Sequence, residues 1–195
     1  MNIKEIFEFY EQYIKPIYSE IEAKRNNIPV ELLFETYAAF DHLKRFYIDN
    51  EEESIATLKA ISHLKRGILD AFKLKLKYFN QDLEDFIKYQ DSLELVDNSN
   101  FLSGFLKDKN NIFKLGKEAR LVESKISKEE AFEKWFEVSL KIDDFEEKYF
   151  NQLEKVEWAK KKQFRFLNQD TTKGFFIGIV SSIVASLIWS MINAN

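Results

Sequence analysis

The chain has 195 residues, a net charge of −4 from 29 basic and 33 acidic residues, and no cysteine. The missing cysteine excludes disulfides, thiolate metal sites and cysteine nucleophiles, and the charge balance argues against a protein that coats duplex nucleic acid. Only five glycines and two prolines interrupt the sequence, which leaves long stretches without a helix breaker and predicts an all-α fold.

The first half of the chain shows apolar residues at helical spacing. The pattern starts at residue 3, and Pro16 predicts a kink or break in this first helix. The sequence Asn-Asn-Ile-Pro over residues 26–29 predicts a turn, followed by a second helix over residues 29–48. Asn50, with glutamates directly after it, predicts the N-cap of a third helix that runs to about Tyr78, with a continuation to Leu95 as the alternative.

The second half predicts an irregular section and then a very long helix. Residues 97–100 break the pattern, and Gly104 and Gly116 predict a series of short helices. Ser127 and Glu130 have the spacing of a capping box, which starts a helix that continues to Leu167. A linker is predicted over residues 168–172. The predicted organisation is therefore a helical bundle over residues 1–126, a long helix over 127–169 and a C-terminal segment over 174–193.

The C-terminal segment predicts a membrane anchor. Residues 174–192 carry no charge, and a helix of that length spans about the hydrocarbon thickness of a bilayer. A buried core helix is the alternative. Basic residues precede the segment, which predicts a single-pass protein with a cytoplasmic N-terminal domain. The residues expected to contact an anionic membrane surface, or else only to set the orientation, are Trp158, Lys160, Lys161, Lys162 and Arg165.

Small residues recur every four positions in this segment. Such spacing lets helix backbones approach closely in a membrane, so it predicts self-association into a homo-oligomer, with a passive anchor as the alternative. The residues in this row are Gly174, Gly178, Ser182, Ser186 and Ser190.

A repeated motif is the only candidate binding site. The sequences AAFDHLKRFYID (residues 38–49) and KAISHLKRGILD (residues 59–70) contain both histidines of the chain, each followed by Leu-Lys-Arg. If the two helices form an antiparallel hairpin, their polar residues converge and suit a small anionic ligand such as a phosphate. The candidate residues are His42, Lys44, Arg45, His63, Lys65 and Arg66.

The alternative is that the repeat reflects helix packing alone. Arg45 and Arg66 each precede an aspartate by four residues, a spacing typical of solvent-exposed ion pairs. Asp41 also lies four residues before Arg45. In this interpretation Leu43 and Leu64 point into the core and the basic residues point outward.

Enzyme motifs are missing from the sequence. There is no glycine-rich phosphate loop and no metal-binding His-Glu-x-x-His, so neither a cofactor nor a metal is expected. In fold type the bundle resembles small RNases of the HEPN superfamily, whose hallmark is an arginine followed five positions later by a histidine. None of the arginines meets that rule, so the activity is not expected; they are Arg25, Arg45, Arg66, Arg120 and Arg165.

The layout of a helical domain on a C-terminal anchor resembles small membrane-tethered effectors of bacterial anti-phage systems. This resemblance implies a sensor–effector that binds a ligand or partner protein and then perturbs the membrane. A tail-anchored adaptor that binds partner proteins is the alternative, and a membrane-tethered enzyme is the third hypothesis.

Overall fold

The computed structural model describes residues 2–125 and 128–193, with the side chains of all but 128, 129, 153, 163–172, 186–188 and 190–193. The described residues are helical and contain no strand, which confirms the all-α prediction. The helices are α1 (Ile3–Phe9), α2 (Lys15–Arg25), α3 (Val30–Asp49), α4 (Glu53–Ile87), α5 (Gln90–Leu93), α6 (Asn100–Lys125), α7 (Lys128–Phe145) and α8 (Leu153–Asn193). Two π-helical turns, Tyr10–Ile14 and Glu146–Phe150, and a 3-10 turn, Val96–Ser99, complete the chain.

Helix α4 is the centre of the bundle. It packs against α3 along one side and against α7, α1 and α2 on the others, while α6 packs on α7. Aromatic side chains fill the core beside it: Phe79 and Phe145 meet edge to face with ring centroids 5.0 Å apart. Trp135 of α7 is fully buried. Such edge-to-face pairs add to the free energy gained by burial, so α4 is held on several sides at once.

The connection between α3 and α4 corrects one prediction. Asn50 is not the N-cap of α4; it is the C-terminal cap of α3, with φ 55°, and Glu52 caps α4. Asparagine adopts this left-handed conformation more readily than most residues, which lets α3 stop and the chain reverse after three residues. The two helices then run antiparallel.

The first predicted break does not form. Pro16 lies at the start of α2, and the π-helical turn directly before it joins α1 to α2 without a gap. In that turn the Lys15 N–H bonds to the Tyr10 carbonyl, five residues back. The wider turn keeps the chain helical up to the proline, whose missing N–H would otherwise interrupt the ladder.

The predicted irregular section is also different. Helix α6 is continuous over 26 residues and contains both glycines that were expected to break it. A Cβ at Gly104 would lie 2.9 Å from Tyr149 Oη, and one at Gly116 would lie 2.9 Å from Leu76 Cδ2. These glycines therefore allow neighbouring helices to approach, and they do not end a helix.

The predicted long helix is divided, and the predicted linker is helical. After α7 and its π-helical turn, residues 151 and 152 interrupt the helix, and α8 then continues through residues 168–172. The capping box involves Ser127, which lies outside the described residues.

The predicted membrane anchor is contradicted. Among the described residues, no helix combines the length and the apolar character that crossing a membrane requires. The uncharged residues form the end of α8, whose first half is rich in charged and polar residues. The predicted single-pass localisation with a cytoplasmic N-terminal domain is therefore wrong.

Candidate functional site

The α3–α4 hairpin brings the two HLKR copies together. Leu43 and Leu64 are buried, as the sequence predicts, and they fix the helix faces on which the motifs lie. The helices lie close together at Gly67, where a Cβ would lie 2.9 Å from Glu35 Cβ. Only glycine fits there without displacement of α3, so Gly67 sets the spacing between the copies.

The two histidine rings stack between the helices. The ring centroids of His42 and His63 lie 5.2 Å apart with an interplanar angle of 28°. His63 Nδ1 lies 2.6 Å from Glu35 Oε2, and the Arg66 guanidinium donates to Glu35 Oε1 at 3.3 Å. Glu35 therefore fixes the orientation of both side chains, because one carboxylate accepts from each of them.

His42 lies in a less satisfied position. Its Nδ1 is buried and has no hydrogen-bond partner among the described residues. Burial, with the nearby charges of Arg45, His63 and Lys59, lowers the pKa of His42. Lys59 donates to Glu51 Oε1 at 2.5 Å and thereby lowers the pKa of Glu51. The surroundings of His42 favour the neutral imidazole.

The four basic residues of the motifs do not converge. Lys44 and Arg45 are exposed on α3, and Arg45 pairs with Asp41 at 2.9 Å. Lys65 and Arg66 line a groove on α4. Lys44 and Arg45 do not line that groove, so the structure does not bring all six candidate residues to one pocket.

We call the depression beside the α4 copy the Lys65 groove. Its volume is about 440 Å³, within the range of small-molecule sites. It is lined by Leu58, Ile61, Ser62, Lys65, Arg66, Leu69, Glu123 and Ala131. The wall is mostly apolar, and Lys65 and Arg66 add two cationic side chains to the lining. That combination suits a molecule with an apolar body and an anionic end.

Among the described residues that line the Lys65 groove, the acid Glu123 is already neutralised. Glu123 of α6 lies 2.6 Å from Lys73 Nζ and accepts from Trp135 Nε1 at 3.1 Å. Burial works to lower the pKa of Lys73, but its pairs with Glu123 and Asp70 outweigh burial and raise it. Because Lys73 stays charged, Glu123 adds little repulsion toward a bound anion.

A larger groove of about 710 Å³ lies elsewhere along α4, but its charges are of both signs. Glu31, Asp70, Lys73 and Arg120 are among its lining residues, and Lys73 donates to Asp70 at 2.9 Å. No single ligand charge is favoured there. This groove is therefore a weaker candidate than the Lys65 groove.

One group of carboxylates has the spacing of a metal site. Oxygen atoms of Glu20, Asp143 and Glu146 lie within 4.8 Å of one another. Two lysines occupy the space between them: buried Lys75 donates to Glu20 at 2.9 Å and to Asp143 at 2.5 Å, and Lys24 pairs with Glu146. The ammonium groups already supply the positive charge, so the cluster is a partly exposed ion-pair network around buried Lys75 that joins α2, α4 and α7.

The candidate residues at the end of the chain lie on α8. Gly174, Gly178 and Ser182 are exposed, and a Cβ at either glycine would meet nothing within 4 Å. The side chains of Ser186 and Ser190 lie outside the described residues. The role of this row in self-association stays a prediction.

The basic residues before this row also lie on α8. Lys160 lies over the Tyr89 ring at 3.9 Å and Lys162 over the Trp158 ring at 5.6 Å. Lys161 is 3.7 Å from Glu157. The Arg165 side chain lies outside the described residues. Two of these lysines are thus engaged with aromatic rings of the protein itself.

Sequence analysis missed Glu35, Gly67 and the far wall of the Lys65 groove. Glu35 lies seven residues before His42, on the same face of α3, and that spacing was a usable signal. Glu123 and Ala131 come from α6 and α7, and nothing in the α4 motif points to them.

Comparison of the chain with family models, with curated proteins and with solved structures found no significant match in any of the three.

Proposed function

We propose that this protein is a non-catalytic helical sensor that binds an amphipathic anion in the Lys65 groove. The observation that carries the proposal is the combination of a mostly apolar wall with Lys65 and Arg66 among the lining residues. The ligand class is a carboxylate or phosphate on an alkyl or comparable apolar body.

The apolar residues of the groove contribute to the affinity for the ligand, and the cationic residues determine its orientation. Leu58 is 69% exposed, so covering it with a ligand removes apolar surface from water and favours binding. Arg66 is half exposed and its bond to Glu35 is long, at 3.3 Å, so its remaining N–H groups are available to an anion. The cations hold the anionic end, and the apolar body lies along α4.

The arrangement also explains how binding is sensed. Arg66 and His63 both contact the carboxylate of Glu35 on α3. An anion that attracts Arg66 therefore changes the hydrogen bonds that Glu35 accepts. His63 in turn stacks on His42. The ligand is therefore coupled to the α3–α4 contact through one acid and two rings.

The test is calorimetry on the full chain with decanoate and decyl phosphate below their critical micelle concentrations, and with decanol as the uncharged control. We expect the two anions to bind and decanol to bind more weakly. Lys65→Ala with Arg66→Ala should raise Kd about tenfold or more, because a charge-assisted hydrogen bond contributes about 1.5–3 kcal/mol.

The matched control is Lys44→Ala with Arg45→Ala, which removes the same residue types from the other copy. It should leave Kd unchanged, whereas Leu58→Asn, on the exposed groove wall, should weaken binding. Equal loss in both double variants would show a general charge effect and contradict the site. If none of the anions binds, the adaptor hypothesis moves ahead.

A further inference from the structure

Helix α3 carries a regular stripe on the side that faces away from the bundle. Its members alternate by four and three residues, the spacing of a coiled-coil seam, and they are Val30, Phe34, Tyr37, Asp41, Lys44 and Ile48. Phe34, Tyr37 and Ile48 are each more than 60% exposed. Exposed apolar residues in such a line differ from the scattered ones of an ordinary surface.

The rest of α3 is already covered. Leu32, Ala39 and Leu43 are buried on the side toward α4. Phe40 packs against Phe7 and Tyr10, with ring centroids 6.4 and 5.8 Å apart, so α1 and its π-helical turn cover one flank. The stripe lies opposite the buried side, because its residues are offset by about half a turn from Leu32 and Leu43. The stripe is therefore the face of α3 that these packing contacts leave exposed.

The two charges in the stripe identify what covers it. Asp41 and Lys44 are neighbours in its C-terminal half, both exposed. When two copies of the stripe pack antiparallel about a two-fold axis between these residues, Asp41 of each copy lies opposite Lys44 of the other. The same symmetry places Tyr37 opposite Ile48. In a parallel pair Asp41 would lie opposite Asp41 and Lys44 opposite Lys44, and such contacts between like charges are unfavourable.

We infer that α3 is a dimerisation face, on which two copies of this chain pack antiparallel with Asp41 and Lys44 paired across the axis. The aromatic and aliphatic side chains supply most of the affinity, as buried anchors do in other interfaces. The charges determine orientation and partner, because a misaligned or parallel pair leaves like charges together. The interface is independent of the Lys65 groove.

Charge reversal tests the pairing on the full chain by sedimentation over a range of concentrations. Asp41→Lys makes the centre all positive and Lys44→Asp makes it all negative, so each should raise the dimer Kd at least tenfold. Together the two substitutions restore complementarity, and the dimer should return. Arg45→Ala is the control, since it removes the Arg45–Asp41 pair without changing the stripe.

Cysteine crosslinking tests the orientation, because the chain has no cysteine of its own. A mixture of Tyr37→Cys and Ile48→Cys chains should form a disulfide-linked dimer on oxidation. Tyr37→Cys alone should not, because two copies of position 37 lie about 16 Å apart along an antiparallel axis, beyond disulfide reach. Crosslinking of Tyr37→Cys alone, wild-type affinity in both charge reversals, or no recovery in the double reversal would each overturn the inference.

Discussion

The arginine of the α3 HLKR copy pairs with an aspartate of its own helix, whereas the arginine of the α4 copy lines a groove and reaches a glutamate of the neighbouring helix. Lys44 and Arg45 are exposed, and Asp41 beside them lies 2.9 Å from Arg45. Arg66 of the other copy shares Glu35 with His63. The HLKR motif therefore lies on two helices that have different neighbours. Those neighbours determine which of its side chains are available to a partner.

The difference follows from the positions of the two helices. Helix α4 is contacted on several sides, so its motif residues meet side chains from α3, α6 and α7. Helix α3 is contacted mainly by α4, so one of its faces stays open. A repeat within one chain does not imply two equivalent halves of a site. Here it provides a ligand groove from one copy and, by our inference, a dimer face from the other.

Leu43 and Leu64 occupy the same position in the two HLKR copies and should behave alike. Their substitution should have the largest effect on the free energy of unfolding. Leu43 is 4% exposed and Leu64 is fully buried. We expect Leu43→Ala and Leu64→Ala each to lower the free energy of unfolding by about 2–5 kcal/mol through lost burial and a remaining cavity. Urea unfolding measures both. A cost below about 1 kcal/mol for either would contradict its place in the core.

The glycine of the α4 copy should give the next largest effect. At Gly67 an added Cβ meets Glu35 Cβ at 2.9 Å and the Leu32 backbone at 3.4 Å, neither of which moves easily. Gly67→Ala should therefore lower the free energy of unfolding by about 1–3 kcal/mol. It should also weaken the contact between Glu35 and His63, which NMR of the His63 ring can follow.

Gly116→Ala is the matched control. Its Cβ would meet Leu76 Cδ2, the end of a side chain that can rotate, and alanine gains about 1 kcal/mol of helix propensity over glycine. We expect little net change in stability. If Gly116→Ala costs as much as Gly67→Ala, close packing of α3 on α4 is not what distinguishes Gly67.

The sequence predicts the helices well and their ends less well. Apolar periodicity locates α3 and α4 because burial of one face is encoded locally, whereas α6 was predicted as a series of short helices and the predicted helix over residues 127–169 is divided. Gly104 and Gly116 misled the prediction because a glycine that breaks a helix and one that admits a neighbour look the same in sequence. Asn50 suits either end of a helix, and the reversal of the chain decided which.

The candidate site was likewise predicted only in part from the sequence. The repeat predicts two motif copies on neighbouring antiparallel helices, offset along the helix axis, and the structure stacks the rings of His42 and His63 between those helices. The Lys65 groove required Glu123 and Ala131, which are distant in sequence and belong to helices whose packing on α4 no local pattern encodes. The motif therefore identified the helices but not the ligand surface.

The histidine of the α3 copy should give a small pH dependence. Burial and the charges of Arg45, His63 and Lys59 lower the pKa of His42, and Asp41 opposes them only in part. The unfolded chain then binds the proton more readily than the folded one. The stability contributed by neutral His42 is complete above its ordinary pKa of about 6.5 and is lost as the pH falls below it.

Urea unfolding at several pH values between 5 and 8 measures this effect against His42→Gln. We expect the wild type to lose more stability on acidification than the variant, and the His42 ring resonances to titrate below the ordinary range. A variant with the same pH profile as the wild type would assign the acid sensitivity to other groups.

The arginines should give the smallest difference between the copies, and the most direct one. The Arg45–Asp41 pair is exposed on one helix, so Arg45→Ala should change the free energy of unfolding by only about 0.3–0.5 kcal/mol. Arg66 pairs with Glu35, whose side chain is only 20% exposed, so Arg66→Ala leaves a mostly buried carboxylate with His63 as its remaining partner. Arg66→Ala should lower the free energy of unfolding by about 1 kcal/mol, more than the loss of an exposed ion pair does.

High salt should abolish the effect of Arg45→Ala before that of Arg66→Ala, because exposed charges are screened more. Equal costs with equal salt dependence would mean that the two arginines have equivalent surroundings, and the half-buried Glu35 would not distinguish the α4 copy from the α3 copy.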